Sequence, residues 1–116
     1  MNYYDSSYTK AEIDSVKDEP GIYLILIKLK NGSRKVVYVG KAEKLKTRLL
    51  QHLSSDEPNT CLKNHIKEHI VSVIRAYVST ENDRKNVEFT LYRKYKPECN
   101  EVEPEGRLVD INFPEI

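Results

Sequence analysis

The run Gly21-Ile22-Tyr23-Leu24-Ile25-Leu26-Ile27-Lys28 constrains this chain more than any other segment. It has the length of a strand, is rich in β-branched and aromatic residues, and is apolar at consecutive positions. It therefore predicts a strand buried on both faces. Asn31-Gly32 follows, two residues that tolerate positive φ, and then Lys35-Val36-Val37-Tyr38-Val39. Together they predict an antiparallel hairpin. Gly40 is expected to end the second strand, where a side chain would prevent close backbone approach or a change of direction.

Beyond Gly40 the apolar period lengthens from two to about 3.6 residues. Leu45, Leu49, Leu50 and Leu53 predict an amphipathic helix over 42–53. A loop with Pro58 follows, then a shorter helix outlined by Leu62, Ile66 and His69 or Ile70. Residues 71–78 form a second β-branched run and a third expected strand. Thr80 with Asp83 resembles a capping box, and Val87, Leu91 and Tyr95 carry a last helix to Lys96, where Pro97 stops it. The polar, Tyr-rich start, with Ala11, Ile13 and Val16, suggests one short packed segment before Pro20. The order β-β-α-α-β-α predicts an α/β fold with a small, largely antiparallel three-stranded sheet flanked by helices. At 116 residues there is room for one domain, with a core over about 13–100 and an acidic tail over 101–116.

The formal charge of +1 hides a segregation along the chain. Residues 20–97 carry sixteen basic against seven acidic side chains, a net of +9, and both ends are acidic. A basic body returns polyanions to the list of partners. The acidic ends are expected to compete for that basic surface and so limit nonspecific binding. Cys61 and Cys99 form no CxxC pair, have no His at ligand spacing and read as free thiols. No signal sequence and no membrane-length apolar stretch is evident, so the expected location is the cytoplasm, away from membranes.

Lys41, Lys44 and Arg48 recur at i, i+3 and i+7, and His52 continues the row. On one helix face, starting where a strand ends in glycine, such a row suits a phosphodiester or its transition state. As a charge run alone it reads better as a solvated face. Tyr23 and Tyr38 stand in aliphatic runs, where their hydroxyls need partners. Glu88, at the edge of the apolar face of the last helix, is a carboxylate placed for a cation or metal ion. Asn100, after Pro97, is a candidate for ordering the return of the chain.

Gly21-Ile22-Tyr23 and Tyr38-Val39-Gly40, with Lys41, Arg48, Glu88, Pro97 and Asn100 in order behind them, resemble the GIY-YIG nuclease family. Within it, Glu19-Pro20-Gly21-Ile22-Tyr23 and Val37-Tyr38-Val39-Gly40-Lys41-Ala42 are similar to the amino-terminal incision domain of the bacterial excision-repair nuclease subunit. Valine replaces the middle isoleucine of the second motif, a conservative change. The helper and partner-binding domains of that repair protein are not expected here, which counts against a part in excision repair.

The resemblance implies metal-dependent endonucleolytic hydrolysis of nucleic acid, DNA in preference to RNA. Glu88 would hold one Mg²⁺ or Mn²⁺, and Arg48 would neutralise charge on the phosphate. Tyr23 or Tyr38 would deprotonate the attacking water, with Lys41 favouring the phenolate. His52 would orient a tyrosine or the water, and Asn100 would position Glu88 or the backbone around it. Gly40, Lys44 and Asn100 are candidates for contact with the substrate. Weak sequence preference is expected, with selection for a branched, nicked or single-stranded structure. Two other readings use fewer of these residues: an inactive nucleic-acid-binding module of the same fold, and an α/β domain whose acidic ends recruit a basic protein.

Overall fold

The structure, a computed structural model, describes residues 1–116. Eight elements follow in order: β1 (Tyr4–Ser7), α1 (Lys10–Ile13), β2 (Gly21–Lys28), β3 (Arg34–Ala42), α2 (Leu45–Leu53), α3 (Thr60–Glu68), β4 (Val71–Tyr77) and α4 (Glu81–Tyr95). They build a four-stranded antiparallel sheet in the order β1-β4-β2-β3, flanked by helices. The sheet has one strand more than the sequence predicts. β1 reads Tyr-Asp-Ser-Ser and lies exposed at the sheet edge, so it carries no apolar alternation to betray it.

β2 is the apolar strand, and every residue from Gly21 to Ile27 is buried. Its two faces feed separate cores. Tyr23, Ile25 and Ile27 pack with Leu45, Leu49 and Leu62 of α2 and α3. Ile22, Leu24 and Leu26 pack with Val87 and Leu91 of α4. Layers of helix on both faces explain the consecutive apolar run. No helix is long and apolar enough to cross a membrane.

β3 runs two residues beyond Gly40, because Lys41 and Ala42 still pair with Ile22 and Gly21. α2 accordingly begins at Leu45 rather than at 42. Its first turn is capped from outside, with Thr47 N–H donating to Asp18 Oδ1 at 3.0 Å and Leu45 N–H to the Glu19 carbonyl at 3.0 Å. At α4, Thr80 Oγ1 accepts from Asp83 N–H at 3.2 Å, and Lys96 ends the helix in the left-handed region at φ 47°.

Gly40 owes its identity to a neighbour across the sheet. It pairs with Tyr23, and a Cβ at position 40 would overlap the phenol ring that lies across it. The register also places Tyr38 opposite Ile25, so both tyrosines share the face toward α2 and α3.

β3 is an edge strand, and the chain after α4 returns to cover its open side. Cys99 N–H donates to the Val37 carbonyl at 2.9 Å, and Asn100 bonds both backbone groups of Val39. The turn at Lys96-Pro97 brings Cys99 against α3, where its Cα lies 5.3 Å from that of Cys61 and the two are disulfide-bonded. This corrects the reading of both as free thiols; residues 38 apart in sequence meet only through the return of the chain. The acidic tail is docked as well. Val109, Ile111 and Phe113 pack against the α4 core, and Val109 N–H donates to Thr90 Oγ1 at 3.0 Å.

Gly40→Ala is expected to lower stability by about 1–3 kcal/mol through overpacking against Tyr23. Chemical denaturation with an unchanged midpoint would show that the ring does not rest on Gly40.

Candidate active site at the outer edge of the sheet

Tyr23 is 1% exposed, and its hydroxyl lies 2.6 Å from His52 Nε2. On the far side of the imidazole, Nδ1 lies 3.0 Å from Glu57 Oε2. An ionised carboxylate only accepts, so Nδ1 carries the proton and donates to Glu57. The bare Nε2 then accepts from the Tyr23 hydroxyl. Glu57 is held in turn by the Asn59 backbone N–H on Oε1 at 3.1 Å. Burial and the nearby Arg48 charge lower the His52 pKa against the opposing pull of Glu57. That direction favours the neutral ring the tautomer requires. Burial raises Tyr23 well above the ordinary phenol value.

Tyr38 stands beside this chain of hydrogen bonds, its ring centroid 5.1 Å from that of His52 and 6.1 Å from that of Tyr23. Unlike Tyr23 it opens on a cavity of about 400 Å³, whose wall includes Arg48, Glu88 and Asn100. Burial raises the Tyr38 pKa too, and the Arg48 guanidinium pulls it back down. Arg48 projects from the middle of α2 and donates to Gln51 Oε1 at 3.2 Å.

Glu88 reaches the cavity from the opposite layer. It is nine-tenths buried on α4, yet no protein group donates a hydrogen bond to it and no basic side chain pairs with it. Burial pushes its pKa up to about 6, and Lys41 pulls the other way. A buried, unpaired carboxylate at the wall of a polar cavity fits a hard divalent cation, which takes oxygen ligands and retains waters.

The structure thus brings Tyr23, Tyr38, Arg48, His52, Glu88 and Asn100 together and leaves two of the expected basic residues outside. Lys41 is on β3, not on the helix, so the expected row Lys41, Lys44, Arg48 does not exist as one face. Opposite Ile22, Lys41 points to the α4 layer, away from both tyrosines, and its charge acts on Glu88 rather than on a phenol. Lys44 is the exposed residue before α2 and lies away from the cavity wall. Gly40 lies under the Tyr23 ring, where it makes room for a side chain. Asn100 positions the Val39 backbone between Tyr38 and Gly40, not Glu88, with Val39 N–H donating to Oδ1 at 3.0 Å and Nδ2 donating to the Val39 carbonyl at 2.8 Å.

Glu57 escaped the sequence reading. It lies in a polar loop, and only the fold turns its side chain inward to His52. Of the acidic tail, Glu101 and Glu103 stand at the rim of the cavity, and Glu103 pairs with Arg93 at 3.3 Å.

Because Glu88 binds its proton more readily folded than unfolded, it subtracts stability as pH rises from 4.5 through about 6 when no cation is bound. Glu88→Gln is therefore expected to stabilise the cation-free chain above pH 6 by roughly 1–2 kcal/mol. The advantage should vanish near pH 4. Added Mg²⁺ should raise the melting temperature of the wild type and leave the variant unmoved; an equal response of both would remove Glu88 as the cation ligand.

Residues 19–101 match the family model described as the UvrC-like GIY-YIG domain. The chain is 32% identical over 111 residues to the UvrABC system protein C of Desulfatibacillum aliphaticivorans, covering 95% of this chain and 17% of that protein. It is 36% identical over 97 residues to the protein of the same name from Thermosipho africanus, covering 84% of this chain and 16% of that protein. The chain thus spans about a sixth of the length of these relatives. Among solved structures, it is similar to the GIY-YIG N-terminal endonuclease domain of UvrC from Thermotoga maritima bound to its catalytic divalent cation, magnesium. The TM-score is 0.61 at 26% identity, covering 78% of this chain and 93% of that one. A tyrosine-to-phenylalanine point mutant of that domain, also bound to the catalytic divalent cation, gives the same TM-score at 25% identity, covering 78% of this chain and 92% of that one.

Proposed function

The chain belongs to the UvrC-like GIY-YIG endonuclease-domain family, and on that premise we propose that it hydrolyses phosphodiester bonds of DNA with one divalent cation held at Glu88. The observation that carries this reading is the unpaired, buried Glu88 carboxylate on the wall of the cavity shared by Tyr38 and Arg48.

Bound at Glu88, Mg²⁺ or Mn²⁺ would supply positive charge for the leaving oxygen and favour the phenolate of a neighbouring tyrosine. Tyr38 is the tyrosine that opens on the cavity, so its oxygen takes the proton of the attacking water. Arg48, already lowering the Tyr38 pKa, supports that phenolate and neutralises the nonbridging oxygens as negative charge grows on them. Tyr23 is spent on His52 and lies behind Tyr38. With His52 and Glu57 it forms a fixed support for the reactive ring. Asn100 holds the β3 backbone that carries Tyr38, a positioning role.

The +9 of residues 20–97 supports binding through phosphates. A hairpin and a basic helix contact phosphates more readily than base edges, which favours weak sequence preference and selection by DNA structure. Glu101 and Glu103 at the rim would oppose nonspecific entry, the part of the acidic tail placed to do so.

Purified protein is expected to nick plasmid DNA in Mg²⁺ and to be silenced by a chelator. Glu88→Gln, Arg48→Lys and Tyr38→Phe should each lower kcat by at least about 10²-fold, and Tyr23→Phe by less. DNA binding should survive Glu88→Gln and fall steeply with salt. Nicking at the wild-type rate in Glu88→Gln would overturn the reading. Salt-sensitive binding without cleavage in any metal would make the domain an inactive nucleic-acid-binding module.

A further inference from the structure

The cysteine pair lies beside a histidine pair that a structural disulfide does not need. Cys61 and His65 stand one turn apart on α3, and Cys99 comes from the chain after α4. One ligand atom from each of the three lies within 4.8 Å of the others, so a histidine does stand near both sulfurs, contrary to the expectation from spacing, and a modest closing movement would let one ion meet all three. The protonation of His65 follows from its partners. Nε2 lies 2.8 Å from Glu98 Oε1, a carboxylate that only accepts, so Nε2 carries a proton, and in the neutral ring Nδ1 is the nitrogen left with a lone pair. A metal-binding imidazole is commonly fixed in this way, with its other nitrogen donating to a carboxylate.

His69 extends the cluster. Its Nδ1 lies 3.3 Å from Nδ1 of His65, a hydrogen bond in which His69 donates to the lone pair of His65, so a zinc ion would take the place of that proton. Two nitrogens bound to one tetrahedral zinc ion at about 2.0–2.1 Å are held at about that separation. Cys61 and His65 thus lie one turn apart on α3 with Cys99 facing both, while His69, the extended C-cap residue, touches His65 but stands outside that three-residue group and would have to swing toward the sulfurs. Two thiolates with two imidazoles select zinc over the hard cations that suit Glu88.

We propose that Cys61, Cys99, His65 and His69 form a zinc site when the disulfide is reduced. A dithiol reductant delivers two electrons and two protons to the S–S bond and is itself oxidised to a disulfide, leaving two thiols on this chain. Zinc then displaces both thiol protons to solvent. The sulfurs part enough to admit the ion, and Glu98 keeps the His65 ring in place.

The two states clamp the same joint. Cys99 is tied to β3 through the Val37 carbonyl, and its own carbonyl accepts from Asn59 Nδ2 at 2.7 Å. Asn100 follows directly, bonded to Val39. A disulfide and a zinc ion would each fasten this return segment to α3. The reduced, metal-free chain would have neither.

The site is independent of the nuclease reading, and its test measures binding only. The full chain carrying Glu88→Gln, reduced with a metal-free phosphine and kept in excess Mg²⁺, is titrated with Zn²⁺ against a colorimetric chelator and separately with Co²⁺. One zinc per chain is expected, with a thiolate-to-cobalt charge-transfer band and a tetrahedral visible spectrum. The oxidised chain should show no such band. His65→Ala and His69→Ala should each weaken zinc binding at least tenfold; both positions are partly exposed, and circular dichroism checks their folding. Absence of zinc binding by the reduced chain, a cobalt spectrum without thiolate bands, or unchanged affinity in either histidine variant would overturn the proposal.

Discussion

The cross-strand pair of Tyr23 and Gly40 is the constraint on which the site depends. Tyr23 points into the layer under α2 and α3, and its ring crosses β3 at the one position that lacks a side chain. From there its hydroxyl reaches His52, and His52 reaches Glu57. A one-residue slip of the hairpin would put Tyr23 opposite a side chain and turn Tyr38 to the other face. The two tripeptides that contain these residues are thus halves of one packing arrangement.

A second dependency runs along the outer edge of β3. An edge strand leaves backbone donors and acceptors unpaired, and here the segment after α4 satisfies them at Val37 and Val39. That contact protects the edge, and it also fixes Asn100 at the cavity. Glu88, one layer away on α4, meets Tyr38 and Arg48 only around this edge. The cavity is therefore built between two layers, each with its own apolar core.

Burial sets the electrostatics in the same way throughout. It raises Tyr23, Tyr38 and Glu88 and lowers His52, disfavouring charge at each. Arg48 is the fixed cation that opposes this at the phenols. Where strong periodicity or punctuation exists, these elements were legible beforehand: β2 from its apolar run, the turn from Asn31-Gly32, α4 from Thr80 and Pro97. β1 was not, because four polar edge residues carry no pattern. Nor was the start of α2, since helical spacing from Lys41 onward overlooked the continued pairing of β3.

The residues at the site followed from the sequence as types in order: two tyrosines on a hairpin, an arginine on the next helix, a glutamate on the last. Local spacing determines such placement, because strand and helix periods assign each side chain a face. The partners of those residues were decided by the tertiary structure. That Lys41 faces Glu88 instead of a tyrosine, that Asn100 holds Val39, and that Cys61 meets Cys99 beside His65 all join segments distant in sequence or set on opposite faces, and His52 meets Glu57, five residues on, only because the loop between them turns that side chain inward. Such contacts depend on how the layers close over the sheet, and no local pattern records that closure.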